Sequence, residues 1–187
     1  MLAQVDLKPS DFTLQPQQVS VTPFVDGQID VVTATRYNEF YTLVSRMGRD
    51  KLRAFVAEDS GITFPRDTLI VSEATAKEKP AMVKGFLPAS IRGWRDALQD
   101  PKAAVDVVMG VAPSLNRDHQ DFMLTECGKL MLAGKAAEQG LFWIDRDAVQ
   151  SAHDFLLRNE MLKKPVDLAG AYDRSFLEAI ATADRRA

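Results

Sequence analysis

The fold class predicted from the sequence is α/β in the first third of the chain, followed by a helical remainder. Short runs of β-branched and apolar residues alternate with turn residues up to about residue 72. After Glu73 the β-leaning runs stop, and apolar residues recur at helical spacing. The 187 residues suffice for one large domain or two small ones. We therefore expect a small α/β unit joined to an all-helical one.

Four segments in the first part are predicted to be β-strands. Each is rich in residues that favour extended backbone and is bordered by turn-forming residues. The predicted strands cover residues 12–19, 29–35, 53–57 and 68–72.

Two helices are predicted around the second of these strands. Thr22 suits an N-cap, Pro23 suits the first helical position and Gly27 suits the stop that follows. Apolar residues then recur at helical spacing over residues 37–47, and Gly48 ends that pattern.

The second part of the chain is predicted to be entirely helical. Pro80 opens a long apolar stripe, on which Trp94 is expected to pack in the core. Pro88 predicts a kink near Lys84, because proline removes a backbone hydrogen bond and clashes one turn earlier. Polar N-cap residues mark the later helices. They are Asp100 before residues 102–109, Asn116 before a helix through about 133, Asp145 before one through about 162, and Asp173 before a short one.

Composition and charge argue against several functional classes. Hydrophobic residues make up 46% of the chain and the net charge is −3, which favours neither nucleic acid nor an anionic membrane as a partner. No apolar run is long enough for membrane insertion, and the first residues do not form a signal peptide. Cys127 is the only cysteine, and His119 and His153 stand alone, so no metal site and no cofactor are predicted.

A cation, an aromatic ring, an amide and a carboxylate follow the strand predicted at 29–35. They are Arg36, Tyr37, Asn38 and Glu39. Ligands of open α/β sheets bind at the carboxyl ends of strands, where such side chains could stack on a flat ring and hydrogen-bond to it. The alternative is a helix start without a ligand, because asparagine and glutamate are favoured there in any case.

Two further positions are weaker candidates. The helix start at Thr22 and Pro23 has free backbone N–H groups that could receive a polar ligand, although every helix has such an end. Phe64 precedes a predicted strand and could equally belong to a simple turn. Neither a nucleophile elbow nor a glycine-rich phosphate loop is present, so no motif indicates an enzyme.

Three runs of the sequence resemble the substrate-binding proteins of ABC importers. They are VTPFVDGQIDVVTATRYNEF, FPRDTLIVSEATAKEKPAMVKGFLPASIRGWRDALQDPKAAVDVV and PVDLAGAYDRSFL. The similar branch is the one for nitrate, sulfonate, taurine and thiamine-pyrimidine precursors, and the resemblance extends over residues 2–177. It implies a type II periplasmic-binding-protein fold, with a second α/β lobe at 1–67. The crossover strand and the helices that pack on the first lobe would then occupy 68–187.

The resemblance also implies a function. The chain would be the solute-binding component of an ABC importer, periplasmic and monomeric, with the permease subunits as partners. A small heteroaromatic such as a thiamine pyrimidine precursor would bind in a cleft between the lobes by hinge closure. The ligand-binding residues that match the family pattern are Thr22, Pro23, Thr35, Tyr37, Asn38, Glu39 and Phe64.

Two alternatives remain within the resemblance. One is a receptor for sulfonate, nitrate or taurine, which Arg36 would favour. The other is an enzyme similar to the synthase of the thiamine pyrimidine, whose cysteine-rich loop corresponds here to residues 59–64, which contain no cysteine.

The start of the chain departs from the family pattern. Family members have a first-lobe segment and a secretion signal before the position that matches Met1. We therefore interpret the chain as a C-terminal portion, which is either a fragment of a longer protein or a product with a truncated start. Residues 1–5 read as the end of a helix that Pro9 stops. The helices expected to cover the first lobe would then expose an apolar face.

Overall fold

The structure is a computed structural model that describes residues 7–187, apart from the side chain of Pro9. The helix end expected at residues 1–5 lies outside the described part. We number the α-helices in chain order. They are α1 (Thr22–Val25), α2 (Glu39–Met47), α3 (Glu73–Glu78), α4 (Pro80–Gln99), α5 (Pro101–Val111), α6 (Arg117–Met131), α7 (Ala136–Gln139), α8 (Arg146–Arg158), α9 (Ser175–Glu178) and α10 (Thr182–Arg185). Short 3₁₀ turns occur at Pro9–Asp11, Arg49–Lys51 and Glu58–Ser60.

The predicted α/β class is not confirmed, because residues 7–187 contain no β-strand. The four segments predicted as strands run as chain without a backbone ladder. The first two do meet at one point, where the Gln17 side-chain amide donates to Thr33 O at 2.6 Å and accepts from Thr33 N–H at 2.9 Å. A side-chain amide therefore takes the place that a neighbouring strand would occupy. The β-leaning residues fit extended backbone, but a strand also requires a backbone partner.

The hydrophobic core lies where α4 meets the C-terminal part of the chain. Ile91, Leu141 and Leu177 are its fully or nearly fully buried members, and Trp94 packs against them as predicted. Burial of one such aliphatic side chain contributes about 1.5–3 kcal/mol. The long helix α4 supplies one wall of this core and also contacts α5, α9 and α10.

Helix α6 connects this core to the N-terminal elements. It packs against α5 on one side and α2 on the other. Gly128 allows a close approach to α4, because a Cβ at that position would lie 2.7 Å from Leu98 Cδ2. On the α2 side, Tyr41 stacks on His119 with ring centroids 4.6 Å apart and planes 6° from parallel. Helix α2, which carries part of the predicted site, is thus fixed to the helical scaffold.

Local capping signals placed most helix starts correctly. Asn116 Oδ1 accepts from His119 N–H at 2.8 Å, and the side chains of Asp100 and Asp145 cap α5 and α8 in the same way. Helix α4 is continuous through Pro88, and the kink near Lys84 stays a prediction.

The Thr22 N-cap was wrong by one residue. Thr22 is the first helical residue, and its N–H donates to Ser20 Oγ at 3.1 Å. The Thr22 hydroxyl accepts from Arg46 Nη1 at 2.9 Å, and no side chain caps α1. Gly27 follows the helix with φ +72°, and Gly48 follows α2 with φ +88°, in agreement with the predicted stops.

Replacement of Asn116 by alanine should reduce the free energy of unfolding by about 1 kcal/mol, because α6 would lose its side-chain cap. Urea denaturation followed by circular dichroism measures this change. Ser114→Ala, at an exposed turn residue two positions earlier, should leave stability nearly unchanged. Equal losses for the two variants would contradict a capping role.

Helices α4 and α5 leave several large apolar side chains exposed. Val107 is 68% exposed and Val111 is 84% exposed on α5, and Met82 and Phe86 are likewise exposed on α4. An exposed apolar face was expected on the helices from Pro80 onward, and the packing of this face on a first lobe stays a prediction.

Candidate functional site

The predicted site residues 35–39 form a turn that leads into α2. Asn38 N–H donates to Thr35 O at 3.1 Å, and Phe40 N–H donates to the same oxygen at 3.2 Å. Glu39 closes the turn from the other side, because its Oε2 accepts from Thr35 N–H at 2.9 Å. This arrangement is similar to the return half of a capping box, with the carboxylate satisfying a backbone donor before the helix. Glu39 is consequently held in one orientation.

Glu39 carries a negative charge in this turn. Burial raises the pKa of its carboxyl, but hydrogen bonds from its own backbone and from Thr35 outweigh burial, and the pKa is lowered. The charge of Arg66 lowers the pKa further. At neutral pH the group is therefore an ionised hydrogen-bond acceptor, and one of its two oxygens is already used by Thr35.

A cavity of about 210 Å³ lies between the α1 start and the polar side of α2. Three of the residues predicted to bind a ligand line it together: Thr22, Asn38 and Glu39. The other lining residues are Val19, Ser20, Val21, Thr42 and Arg46. We call this the α1–α2 cavity. Its wall contains a carboxylate, a guanidinium, an amide and several hydroxyls, so it can both donate and accept hydrogen bonds.

Arg46 and Thr42 were not predicted as site residues. Thr42 lies three and Arg46 seven positions after Glu39, so one face of α2 carries all three side chains to the cavity. Arg46 also ties the two walls together, because its Nη1 donates to Thr22 Oγ1 at 2.9 Å. The helical spacing of these polar residues was the available signal.

Tyr37 does not line the α1–α2 cavity. Its hydroxyl donates to Asp67 Oδ2 at 3.1 Å, which connects the turn to the segment that precedes the predicted strand at 68–72. Burial raises the pKa of the Tyr37 phenol, and the hydrogen bond to the Asp67 carboxylate raises it further. The phenol is therefore a neutral donor at neutral pH, and its ring-stacking role stays a prediction.

Arg36 is directed away from the cavity as well. Its Nε donates to Glu126 Oε2 on α6 at 2.7 Å, and Lys129 Nζ donates to Glu126 Oε1 at 2.5 Å. The Lys129 hydrogen bond, followed by that from Arg36, lowers the pKa of the Glu126 carboxyl. Arg36 thus anchors the turn to α6, and Arg46 is the guanidinium that lines the cavity.

The remaining predicted site residues lie outside the cavity lining. Thr35 supplies the backbone donor to Glu39, and Pro23 lies in the first turn of α1. Phe64 is part of a different surface, where its ring meets that of Phe155 edge-on with centroids 5.4 Å apart. The structure therefore brings Thr22, Asn38 and Glu39 together and separates Phe64 from them.

Metal clusters and membrane-spanning helices are absent from the described residues 7–187. Between residues 7 and 187, no three His, Cys, Asp or Glu side chains are grouped so that they could hold a metal ion. Over the same residues, no helix combines the length and the apolar character that a membrane span requires.

Comparison with known proteins confirms the family that the resemblance predicted. The family described as NMT1/THI5 like matches residues 1–104, which is more than half of the chain. The chain belongs to the NMT1/THI5-like family.

A curated relative is the riboflavin-binding protein RibY of Chloroflexus aurantiacus, which is 28% identical over 112 residues. The matched region is 58% of this chain and 32% of that protein, so the chain matches about a third of the relative's length. No solved structure matches the chain.

Proposed function

We propose that the protein is the solute-binding component of an ABC importer and that the α1–α2 cavity contributes to its binding site. The proposed ligand is a small heteroaromatic with amino groups, such as a thiamine pyrimidine precursor. The observation that carries the proposal is the shared cavity of Thr22, Asn38 and Glu39. The family membership and the relative named as a riboflavin-binding protein support a binding role.

The side chains suit an aminopyrimidine edge. Such a ring presents an amino N–H donor beside a ring-nitrogen acceptor. The Glu39 carboxylate has about four acceptor sites, and its hydrogen bonds with Thr35 and its own backbone leave one that could accept from the amino group. The amide of Asn38, in the same wall, could donate to the ring nitrogen. Because the carboxylate is ionised, its hydrogen bond would be of the stronger, charge-assisted kind.

The size of the cavity is compatible with a small ligand. Pockets for drug-sized ligands have volumes of about 300–1,000 Å³, and the α1–α2 cavity, which would form one part of the binding site, has about 210 Å³. A single substituted ring fits such a space. The parts of the proposal that rest on family resemblance are the division into 1–67 and 68–187, a type II periplasmic-binding-protein fold, a periplasmic location and permease partners.

Arg46 favours a second candidate, a receptor for sulfonate, nitrate or taurine. Its guanidinium lines the α1–α2 cavity and could pair with an anionic oxygen group in a bidentate way. In that case Arg46 would carry the affinity, and the nearby negative charge of Glu39 would oppose it. The two candidates therefore predict opposite effects of substitutions at Glu39 and at Arg46 on ligand affinity.

Titration calorimetry with 4-amino-2-methylpyrimidine, methanesulfonate and nitrate separates these candidates. For a pyrimidine receptor, Glu39→Gln should weaken binding of the pyrimidine about tenfold, because a charge-assisted hydrogen bond is lost. Arg46→Gln should have little effect on that binding. Glu78→Gln, at an exposed carboxylate outside the cavity, is the matched control.

The outcomes distinguish each reading. Loss of methanesulfonate binding in Arg46→Gln, with no pyrimidine binding, would support the sulfonate receptor. Pyrimidine binding that survives Glu39→Gln unchanged would contradict the assignment of the site. Recovery of the bound pyrimidine without chemical change is expected of a receptor, whereas formation of a pyrimidine by the protein would support the enzyme alternative.

A further inference from the structure

A second cavity, of about 240 Å³, lies between α8 and the turn that follows the 3₁₀ segment Glu58–Ser60. This second cavity and the α1–α2 cavity have no lining residue in common. We call it the α8 cavity. Its lining residues are Gly61, Ile62, Thr63, Ser151, Asp154, Phe155 and Arg158.

One stripe of α8 forms a wall of this cavity. Three residues follow Ser151 at three, four and seven positions, so all four lie on the same face of the helix. They are Asp154, Phe155 and Arg158. The stripe holds one carboxylate and one guanidinium about one helical turn apart. The opposite wall, at residues 61–63, adds backbone groups, a threonine hydroxyl and an isoleucine side chain.

The carboxylate of Asp154 is fixed by its neighbours. Its Oδ1 accepts from Gln150 Nε2 at 2.8 Å and lies 3.1 Å from His153 Nδ1. Val166 N–H donates to His153 Nε2 at 3.1 Å, so the imidazole proton is on Nδ1 and is donated to Asp154. The hydrogen bonds from His153 and from Gln150 lower the pKa of the Asp154 carboxyl, which is therefore ionised at neutral pH.

Arg158 lacks a hydrogen-bonding partner in the part of the chain that the structure describes, although its charge lowers the pKa of Asp154. Residues spaced by four positions on a helix often form an ion pair. Here His153 and Gln150 hold Asp154 instead, and the two opposite charges stay separate in one cavity wall. The cavity therefore presents a positive and a negative group that could each contact a ligand.

Apolar groups limit what can bind between these charges. Phe155 is supported edge-on by Phe64, and Ile62 lies in the facing wall. A Cβ at Gly61 would meet no atom within 4 Å, so the turn leaves open space at that point.

We propose that the α8 cavity binds a small zwitterion of the amino acid class, with its carboxylate at Arg158 and its ammonium group at Asp154. A ligand of this class supplies both charges within one small molecule, and its short side chain would contact Ile62 and Phe155. The Thr63 hydroxyl in the facing wall could donate to the carboxylate, and the Ser151 hydroxyl, one turn before Asp154, could accept from the ammonium group.

Amide ¹H–¹⁵N spectra of the labelled protein test the proposal, with glycine and L-alanine as probes. Both should shift the signals of Gly61, Ile62 and Thr63 in a saturable way. Acetate and methylamine each carry only one of the two charges and should cause no saturable shift at the same concentrations. Arg158→Gln should weaken glycine binding about tenfold, because the charge-assisted contact to the carboxylate is lost.

Arg146→Gln is the matched control, since it removes the same charge from the exposed N-terminal turn of the same helix. It should bind glycine as the parent protein does. Asp154→Asn is a second variant that removes the other charge and should also weaken binding. Shifts that persist in both cavity variants, equal shifts with acetate alone, or the absence of shifts with either zwitterion would each overturn the proposal.

Discussion

Replacement of Gly140 by alanine should reduce the free energy of unfolding by about 3 kcal/mol or more. Gly140 is buried, has φ +93° and lies directly against the C-terminal chain. A Cβ at this position would lie 2.5 Å from Arg185 Cβ and 2.7 Å from the Arg185 carbonyl carbon. The variant therefore combines an unfavourable left-handed backbone with a clash that no side-chain rotation relieves. Urea denaturation followed by circular dichroism measures the loss.

The contact is important because the core closes at this point. Leu141 N–H donates to Arg185 O at 2.9 Å, and Leu141 is fully buried. Arg185 is itself buried and donates to Leu177 O at 2.9 Å. Displacement of the Arg185 backbone would disturb both core residues, so the loss should be larger than backbone strain alone.

Gly134→Ala is the control for the backbone term. Gly134 also has a positive φ, of +57°, but a Cβ there would meet no atom within 4 Å. Its replacement should cost about 1 kcal/mol, the penalty for a left-handed alanine. Similar losses at the two glycines would show that the close approach of Arg185 adds nothing.

The helical half of the fold could be predicted because its signals are local. Asn116, Asp145 and Asp100 cap helices within three residues of their own positions, and Trp94 lies on a stripe that one helix defines. Such features need no knowledge of the rest of the chain.

Whether the β-leaning segments pair as strands could not be predicted in the same way. Whether residues 12–19 and 29–35 form a ladder depends on which backbone lies beside them, and this is not encoded by either segment alone. In the structure, the side chain of Gln17 occupies the hydrogen-bonding groups of Thr33.

The candidate site shows the same division between local and distant information. Asn38 and Glu39 were predicted, and Arg46 could have been added from its spacing on α2. In contrast, Arg36 reaches Glu126 across 90 residues and Tyr37 reaches Asp67 across 30. Nothing in the local sequence indicates these partners.

Replacement of Glu126 by glutamine should reduce the free energy of unfolding by about 2 kcal/mol at neutral pH, because two charge-assisted hydrogen bonds are weakened. The Glu126 side chain is only 10% exposed and binds Arg36 from the site turn and Lys129 from its own helix. Both cations are more than half exposed, so the loss should be below that for a fully buried ion pair.

The same variant should change the pH dependence of stability. The Lys129 and Arg36 hydrogen bonds lower the pKa of Glu126 in the folded protein below its ordinary value of 4.5. A lowered folded-state pKa stabilises the protein above the ordinary value, and this contribution is lost as the pH falls through the lowered one. The difference in the free energy of unfolding between the parent and Glu126→Gln should therefore be largest at pH 7 and should decrease progressively below pH 4.5.

Glu73→Gln provides the control, because its pairing with Lys77 at 3.6 Å is almost fully exposed. Its effect should stay below about 0.5 kcal/mol at every pH. If the difference in the free energy of unfolding between the parent and Glu126→Gln persists unchanged to low pH, packing and not charge accounts for the loss.

The Glu126→Gln variant should also weaken pyrimidine binding. Glu126 holds Arg36, and the next residues of that turn carry Asn38 and Glu39 to the α1–α2 cavity. An unchanged affinity with reduced stability would restrict the ion pair to a role in folding.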